Sequence, residues 1–476
     1  MTNLFKTKQV STEELQNSEL KRTLTATNLV ALGIGAVIGA GIFVITGNAA
    51  AEHAGPAVVI SFIISAFGCA LAGLCYAEFS SMFPVAGSAY SYSYATMGEF
   101  IAWILGWDLI LEYLFGAATV SVGWSEYVVS FLAYYGINIP AAITSAPIDF
   151  VGGEWVLTGA IINFPAVFIV VILTTLLVLG VKESAKFNNI IVLIKVIVIL
   201  LFVGFGISFV NTQNWVPFIP QNTGTFGNFG WTGILSGAAI VFFAYIGFDA
   251  VSTAAQEAKN PQRDMPRGIL ISLLICTVLY IAVALVLTGI VKYDELNVAA
   301  PIALAIDKAG DTLRWLSPLI KIGAIAGLSS VVMVLLFGQS RVFFSMSNDG
   351  LLPPIFAKVH KKFKTPYITT IIIGIGSVVF AGLLPIHILV KMVSIGTLLA
   401  FAIVCIGIIV LRKKRPDLPR PFRTPLVPLV PILGALVCVS QMVSLPFDTW
   451  MRLLIWMAIG LVIYFIYGMR HSKIRK

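Results

Sequence analysis

The sequence predicts an all-α integral membrane protein with twelve transmembrane helices, of which helices 1 and 6 are broken near the middle of the membrane. Hydrophobic residues make up 58% of the 476 residues and charged residues 11%, a balance outside that of soluble globular proteins. Apolar stretches of about 20 residues, the length that crosses a bilayer as a helix, recur along the whole chain. Two of these stretches carry a glycine-containing weak point at mid-length.

The twelve predicted spans occupy most of the chain and are separated mainly by short polar loops. In order, they are residues 27–51, 57–80, 99–128, 160–181, 188–210, 231–256, 267–291, 315–345, 367–384, 387–411, 426–445 and 449–469. Spans 3 and 8 are long enough to tilt or to extend beyond the membrane. The polar residues 1–26 lack the pattern of a cleaved signal peptide, so we expect span 1 to be retained.

The positive charges predict how the chain crosses the membrane. If the N-terminus lies in the cytosol, 24 of the 31 Lys and Arg residues fall in cytosolic segments and 6 in outer ones, while Lys195 lies inside span 5. The two largest outer loops, about 129–159 and 211–230, contain no Lys or Arg. Because cytosolic loops are enriched in these residues, we expect a multi-pass protein of the cell membrane with both termini cytoplasmic. This placement explains the positive charge without nucleic acid as a partner.

Span 1 contains the glycine-rich stretch Gly33–Phe43, with four glycines within nine residues. Glycine weakens a helix, and non-helical backbone is tolerated at this depth only inside protein or against a cavity. A break would leave free N–H groups and a positive dipole end on one half, and free carbonyls on the other. Such a site suits a molecule that carries both a carboxylate and an ammonium group. Alternatively, the glycines only permit close helix packing.

Span 6 has a second weak point at mid-depth, Phe243–Asp249, five spans after the first. Since the two spans enter from opposite sides, spans 1–5 and 6–10 would be related by an inverted-topology repeat, an arrangement typical of transporters. The predicted division is a cytosolic tail at 1–26, a first repeat at 27–210, a second repeat at 231–411, two further helices at 424–470 and a C-terminal tail at 471–476.

Lys195 lies deep within span 5, about 10–12 Å from its cytosolic end. A charge at such depth costs about 2.5–3.5 kcal/mol or more, and the interface is too far for easy snorkelling. We expect the ammonium to rest against carbonyls freed by the break in span 1, in place of a bound cation. Lys195 is then a candidate proton carrier or, alternatively, a static lysine that pins span 5 to span 1.

Two carboxylates and a serine complete the candidate residues. Glu112 in span 3, one turn after Asp108, and Asp249 at the end of the span 6 weak point are expected either to form a proton relay with Lys195 or to act as fixed gate contacts. Ser330 lies on the outer half of span 8, where its hydroxyl could help to hold a cation. Close packing of a small residue is the alternative role for Ser330.

Enzyme chemistry and cofactors receive no support from the sequence. All five Cys residues fall in apolar segments, and the four His residues are scattered near span ends. This distribution offers neither metal-ligand spacing nor a disulfide framework nor a reactive cluster. We therefore expect no catalytic activity and no cofactor.

Five motifs together resemble those of amino acid permeases of the amino acid–polyamine–organocation superfamily, most of all the cationic amino acid transporter branch and its bacterial members. In order, they are Gly35–Phe43, Pro84–Tyr94, Phe242–Asp249, Asn260–Pro266 and Asp349–Pro353. The resemblance extends from about residue 20 to residue 470. It implies the leucine-transporter-type 5+5 inverted repeat with two extra C-terminal helices.

The resemblance also implies a set of substrate contacts from the backbone of the two broken spans. They are Val37, Ile38, Gly39, Ala40, Gly41, Phe243, Ala244 and Ile246. In proton-coupled members a lysine of span 5 takes the place of a sodium ion, and Lys195 matches it. This chain departs from the family at Ala40, where relatives usually have Thr, and at Asn348, where they often have Arg.

The leading hypothesis is proton-coupled import of L-amino acids by alternating access. An apolar lining from Ile38, Ile246 and Leu335 favours neutral aliphatic substrates. Cationic or broad specificity is the alternative, because Glu112 is a carboxylate near the site and a negative membrane interior draws in cations. Uniport of cationic amino acids, sodium coupling and amino acid exchange are the other transport hypotheses. A membrane amino acid sensor is the hypothesis from a different class.

Overall fold

A computed structural model describes residues 4–8, 24–83, 87–151, 154–179, 184–298, 300–363 and 365–475. Within these ranges the α-helices of eight residues or more are α1 (Ala26–Val37), α2 (Val58–Met82), α3 (Ser88–Thr96), α4 (Glu99–Tyr134), α5 (Phe164–Leu179), α6 (Ser184–Gly206), α7 (Gly230–Val241), α8 (Pro261–Ile290), α9 (Pro301–Lys308), α10 (Leu316–Asn348), α11 (Tyr367–Leu383), α12 (Ile386–Lys414), α13 (Leu429–Val443) and α14 (Phe447–Ile463). The predicted tail residues 9–23 and Pro84–Ala86 of the second motif lie outside the described residues.

Eight helical segments in the described part of the chain are long and apolar enough to cross a membrane. They are Ala26–Met82, Glu99–Tyr134, Asn189–Phe209, Gly230–Ala255, Pro261–Ile290, Leu316–Asn348, Ile386–Lys414 and Phe447–His471. The shorter apolar helices α5, α11 and α13 accompany them. The outer helices expose large apolar side chains, such as Leu200 and Val462, which form the kind of surface that lipid covers.

The observed and predicted starts agree for α11 but differ for α8, although proline lies at both starts. α11 and predicted span 9 both begin at Tyr367, directly after Pro366. α8 begins at Pro261, ahead of the predicted start at residue 267, because proline is favoured in the first turn and the apolar pattern alone does not reveal polar turns at a helix start. α4 runs on to Tyr134, beyond the predicted end at residue 128.

Three elements of the fold were not predicted. α3 and α9 are too short to appear as membrane-spanning stretches. Two strands, β1 (Ile148–Val151) and β2 (Glu154–Leu157), pair antiparallel in the segment between α4 and α5, with Ile148 opposite Leu157. This hairpin stands at the far end of α4 from the chain termini.

The helices α1, α4, α7 and α10 form the interior of the bundle. α4 packs along α10 and α12, and α1 packs along α8. Most of α7 and most of α4 is buried. Two predicted weak points, in spans 1 and 6, therefore lie inside protein rather than against lipid, as non-helical backbone in a membrane requires.

The two ends of the chain meet at the start of α4. The buried carboxylate of Glu99 accepts hydrogen bonds from Tyr464 Oη at 2.7 Å, from Arg475 Nε at 2.8 Å and from the Ser472 hydroxyl. The backbone N–H of Glu99 donates to the carbonyl of Lys6 at 3.1 Å. Burial lowers the pKa of Arg475, but the hydrogen bonds and charges of Glu99 and Tyr464 together raise it by more, so the guanidinium stays charged.

Candidate functional site

The first interruption lies in predicted span 1. α1 ends at Val37, and Ile38 has an extended backbone with φ −73° and ψ 101°. Helical hydrogen bonding resumes as a π-helix over Gly41–Ile45. The end of α1 and the start of the next segment therefore present carbonyl and N–H groups outside a regular helix. Glycine is required at position 41, because a Cβ there would lie 2.2 Å from the Cα of Ala244.

The second interruption lies in predicted span 6. α7 passes into a 3-10 turn over Phe242–Tyr245, and Ile246 has an extended backbone with φ −60° and ψ 138°. A 3-10 segment, Asp249–Glu257, continues the chain. Gly247 between them has φ +109°, and a Cβ there would lie 2.9 Å from the Cβ of Ala36. The two interruptions are thus in direct contact with each other.

The eight residues implied as substrate contacts all lie in these interruptions and are buried. They are Val37, Ile38, Gly39, Ala40, Gly41, Phe243, Ala244 and Ile246. Leu335 of α10 packs against α4. A Cβ added at Gly116 of α4 would lie 3.1 Å from the Cδ1 of Leu335. Val331, one turn before Leu335, is the α10 side chain that contacts Gly39. Val331 was not among the predicted site residues, although its i, i+4 relation to Leu335 puts it on the same helix face.

Tyr280 of α8 joins the two interruptions. Its hydroxyl lies 2.8 Å from the carbonyl oxygen of Val37 and 2.8 Å from that of Ala244. A hydroxyl has one proton, so the two carbonyls share a single donor. Tyr280 was not among the predicted site residues either. The available signal was a tyrosine in the middle of an apolar span, whose hydroxyl needs a partner when it is buried.

Lys195 of α6 holds the end of α1. Its fully buried ammonium donates to the carbonyls of Gly35 at 2.6 Å and Ile38 at 2.9 Å, and to Ser330 Oγ at 3.2 Å. The Ser330 hydroxyl in turn donates to the carbonyl of Gly327 at 2.8 Å. All three ammonium protons therefore have acceptors. Unwound carbonyls of this kind coordinate Na⁺ in some membrane proteins with broken helices, so the ammonium occupies a position suited to a cation.

Glu112, Tyr113 and Asp249 form a buried cluster beside the second interruption. The Tyr113 hydroxyl donates to Asp249 Oδ2. Both carboxyl groups are fully buried. Within the described residues, neither oxygen of Glu112 has a hydrogen-bond partner. A proton on one of the two carboxyl groups would remove the cost of a second buried charge.

The structure does not bring Lys195 into contact with these acids. The ammonium contacts carbonyl and hydroxyl oxygens of α1 and α10, whereas Glu112 approaches the centre from α4. Among the residues described, no ion pair joins Lys195 to Glu112 or Asp249. Proton transfer between the lysine and the acids therefore needs an intermediate group, such as water or a bound substrate.

The two departures from the family pattern have defined surroundings. Ala40 packs toward α4, where a Cβ added at Gly123 would lie 3.5 Å from the Cβ of Ala40. The first interruption therefore offers backbone groups and apolar side chains at this point. Asn348 is the last residue of α10, and the next residue, Asp349, pairs with Lys8 Nζ at 3.0 Å. An ion pair thus exists at this end of α10 without an Arg at position 348.

Comparison with known proteins places the chain among transporters. A family model described as amino acid permease matches residues 24–466. The methylthioribose transporter of Bacillus subtilis (strain 168) is 49% identical over 100% of both chains. The branched-chain amino acid permease BcaP of the same organism is 48% identical over 96% of this chain and 95% of its own. The vacuolar cationic amino acid transporter 4 of Arabidopsis thaliana is 38% identical over 88% of this chain and 68% of its own.

Proposed function

The chain belongs to the amino acid permease family, and we propose that it imports L-amino acids across the cell membrane by alternating access, in symport with protons. The family and its relatives are transporters, so the chain is a multi-pass membrane protein and enzyme activity is not expected. The observation that carries the proposal is the contact between two buried helix interruptions, with Tyr280 and Lys195 donating to their free carbonyls.

The proposed architecture has twelve spans. The segment Ala26–Met82 is long enough for two crossings, and α5, α11 and α13 supply three more beside the other long helices. Residues 27–210 and 231–411 would form the inverted repeats, with helices 1 and 6 broken at the midplane, and residues 424–470 the two added helices. The meeting of residues 4–8 with 472–475 supports tails at 1–26 and 471–476 on one side, which the positive charges assign to the cytoplasm.

The proposed substrate site comprises the interruptions themselves. N–H groups of Gly39, Ala40 and Gly41 at the start of a helical segment would bind the substrate carboxylate, since that end of a helix attracts anions. Carbonyls of the second interruption, at Phe243, Ala244 and Ile246, would accept from the substrate ammonium. Val37, Ile38 and Leu335 would complete the lining of a site for neutral aliphatic side chains, a preference supported by the name of the relative BcaP.

The proposed coupling rests on Lys195. When protonated, its ammonium binds the carbonyls of Gly35 and Ile38 and the hydroxyl of Ser330, and so holds α1 in position. Loss of the proton would remove one of these donors and loosen α1, which gives protonation a direct effect on the site. Glu112 and Asp249 would carry the proton on the opposite side of the site. Transfer between the two sides would pass through water or substrate.

Methylthioribose is the second candidate substrate, because a relative of 49% identity is named for its transport. This compound is uncharged, and its hydroxyl groups could bind free N–H and carbonyl groups of the interruptions while its methylthio group lies against apolar side chains. An uncharged substrate would leave the helix dipole at Gly41–Ile45 without an anionic partner. We therefore rank it after the amino acids.

The test uses purified full-length protein in liposomes. Uptake of radiolabelled alanine, isoleucine, arginine and methylthioribose would be followed with and without an inward proton gradient, for the native chain, for Lys195→Ala and for Lys391→Ala as a control lysine on α12. We expect gradient-driven accumulation of isoleucine or alanine by the native chain and by Lys391→Ala, and none by Lys195→Ala. Accumulation of methylthioribose alone would overturn the amino acid assignment. Uptake that needs sodium or internal amino acid would overturn proton coupling.

A further inference from the structure

A cavity lies on α4 at the end of the bundle opposite the chain termini, and Tyr127, the residue after Glu126 of its wall, donates to the carbonyl of Phe43 in the first interruption at 2.7 Å. It has a volume of about 710 Å³ and opens between α4, the segment that carries the hairpin, and the start of α12. Glu126 on its wall is 27 residues after Glu99, or about 40 Å along α4 from the meeting point of the termini. A cavity of this size is within the range of small-molecule sites. The proposed transport function does not use it.

Glu126 is the one acidic group of α4 that lines this cavity within the described residues. Its Oε2 is buried and has no hydrogen-bond partner in the described part of the chain. Among the described residues no ion pair joins Glu126 to Lys321, whose ammonium donates to the carbonyl of Ser130 at 3.2 Å and lies 5.2 Å from the centre of the Tyr134 ring. A buried carboxyl oxygen without a partner is costly, and on this partly buried side chain it marks a place that a ligand can complete.

Two threonine hydroxyls of the wall have already committed their protons. Thr158 donates its hydroxyl proton to the carbonyl of Ala146 at 2.6 Å, and Thr144 donates to the carbonyl of Pro140 at 3.4 Å. Each hydroxyl oxygen can act only as an acceptor toward a ligand, although that of Thr158 also accepts from the N–H of Ala160 at 3.2 Å. Asp149 adds a second carboxylate at the rim, 3.6 Å from His387 Nε2. A ligand that matches this wall brings several N–H donors and a positive charge.

We propose that this cavity binds a small primary alkylammonium compound, with the ammonium group against Glu126. The apolar part of the ligand would lie against Val122, Val129 and Ile386, which also line the cavity. A free amino acid fits poorly, because its carboxylate would approach the carboxyl groups of Glu126 and Asp149. A divalent metal ion fits poorly too, since the described residues hold no group of three or more His, Cys, Asp or Glu that could coordinate one. The site is therefore distinct in chemistry from the one proposed for transport.

The test is calorimetric titration of the purified full-length protein in detergent with n-butylamine hydrochloride, and with n-butanol as the uncharged analogue. Glu126→Gln keeps the shape of the side chain and removes its charge. Glu154→Gln removes a carboxylate from the exposed strand β2 outside the cavity wall and serves as the matched control. We expect the native chain and Glu154→Gln to bind n-butylamine, Glu126→Gln to bind at least about tenfold more weakly, and n-butanol to bind no better than that variant.

Two further measurements keep the outcome interpretable. Ala146→Phe fills the cavity without touching Glu126 and should also abolish binding, and the unfolding midpoint of each variant without probe reports whether it is folded. Saturating isoleucine should leave n-butylamine binding unchanged, because the two sites are separate. Equal binding by the native chain and Glu126→Gln, unaltered binding by Ala146→Phe, or displacement of the probe by isoleucine would each overturn the proposal, whatever the uptake experiment gives.

Discussion

Lys195 Nζ lies 2.9 Å from the carbonyl oxygen of Ile38, the residue at which the backbone of α1 turns from helical to extended. The same ammonium donates to the carbonyl of Gly35 one turn earlier. The lysine thus replaces hydrogen bonds that the helix loses where it stops. The carbonyls offset the cost of burying the ammonium charge, and the ammonium supplies the hydrogen bonds that these buried carbonyls need.

Replacing Lys195 by Ala should therefore lower stability as well as coupling. Two buried carbonyls would lose their donor, and the expected loss is about 1–3 kcal/mol in the free energy of unfolding. The check is the thermal unfolding midpoint of the purified protein in one detergent at pH 7. Lys292→Ala, which removes an exposed lysine, should leave the midpoint close to the native value. A Lys195→Ala variant as stable as the native chain would mean that the lysine is not needed to hold α1.

Tyr280→Phe removes the donor that the carbonyls of Val37 and Ala244 share while it keeps the ring. We expect the two interruptions to move relative to each other, with KM for the transported substrate raised about fivefold or more and stability reduced by about 1 kcal/mol. Tyr464→Phe makes the same chemical change at the meeting point of the termini. It should reduce stability similarly and leave KM unchanged. Equal KM values for both variants would argue against a positioning role for Tyr280.

Gly41→Ala should abolish transport, because the added Cβ would lie 2.2 Å from the Cα of Ala244, a backbone atom that cannot rotate away. Gly204→Ala provides the comparison. No atom lies within 4 Å of its ideal Cβ position, and alanine is the better helix former by about 1 kcal/mol. Initial rates of uptake, corrected for the amount of folded protein, should be near zero for Gly41→Ala and native for Gly204→Ala. Native rates for both would show that the interruptions do not need such close contact.

Glu99→Gln tests the cluster that joins the termini to α4. The buried carboxylate has Tyr464, Ser472 and Arg475 as donors, and an amide can satisfy them only in part while it leaves Arg475 without a counter-ion. The expected loss is about 2–4 kcal/mol in the free energy of unfolding. Glu295→Gln, which removes one partner of the exposed pair with Lys308, should cost less than about 1 kcal/mol. Denaturant or thermal unfolding would measure both losses. Equal losses for the two variants would contradict the stabilising role assigned to the Glu99 cluster.

Hydropathy and charge were enough to anticipate the helical membrane architecture. Tyr367, directly after Pro366, was placed correctly as the start of a helix because proline marks that end in the sequence itself. The helix α3 and the hairpin of β1 and β2 were missed, since neither has the length or apolar character that membrane burial imposes. In this chain, the pattern of apolar residues predicts a helix where the helix crosses the membrane, because the membrane restricts which residues the helix can contain.

The sequence revealed those site residues whose polar side chains are costly to place deep in a membrane. Lys195, Glu112 and Asp249 stood out for that reason, and the glycines of span 1 stood out as weak points of a helix. Tyr280 and Val331 did not, because a tyrosine and a valine are ordinary residues in an apolar span. Their importance lies in which backbone atoms they reach, and this depends on helices that are distant in the chain.

The sequence by itself determined that the chain is a helical membrane protein, which segments are apolar and where helices are weak, because each of these properties is a sum over neighbouring residues. Only the tertiary structure decided that Gly41 meets Ala244, that Tyr280 serves both interruptions, and that Lys195 lies with α1 and α10 rather than with Glu112. These contacts join residues many tens of positions apart. Their selection depends on how whole helices pack, and the same local patterns are compatible with many packings.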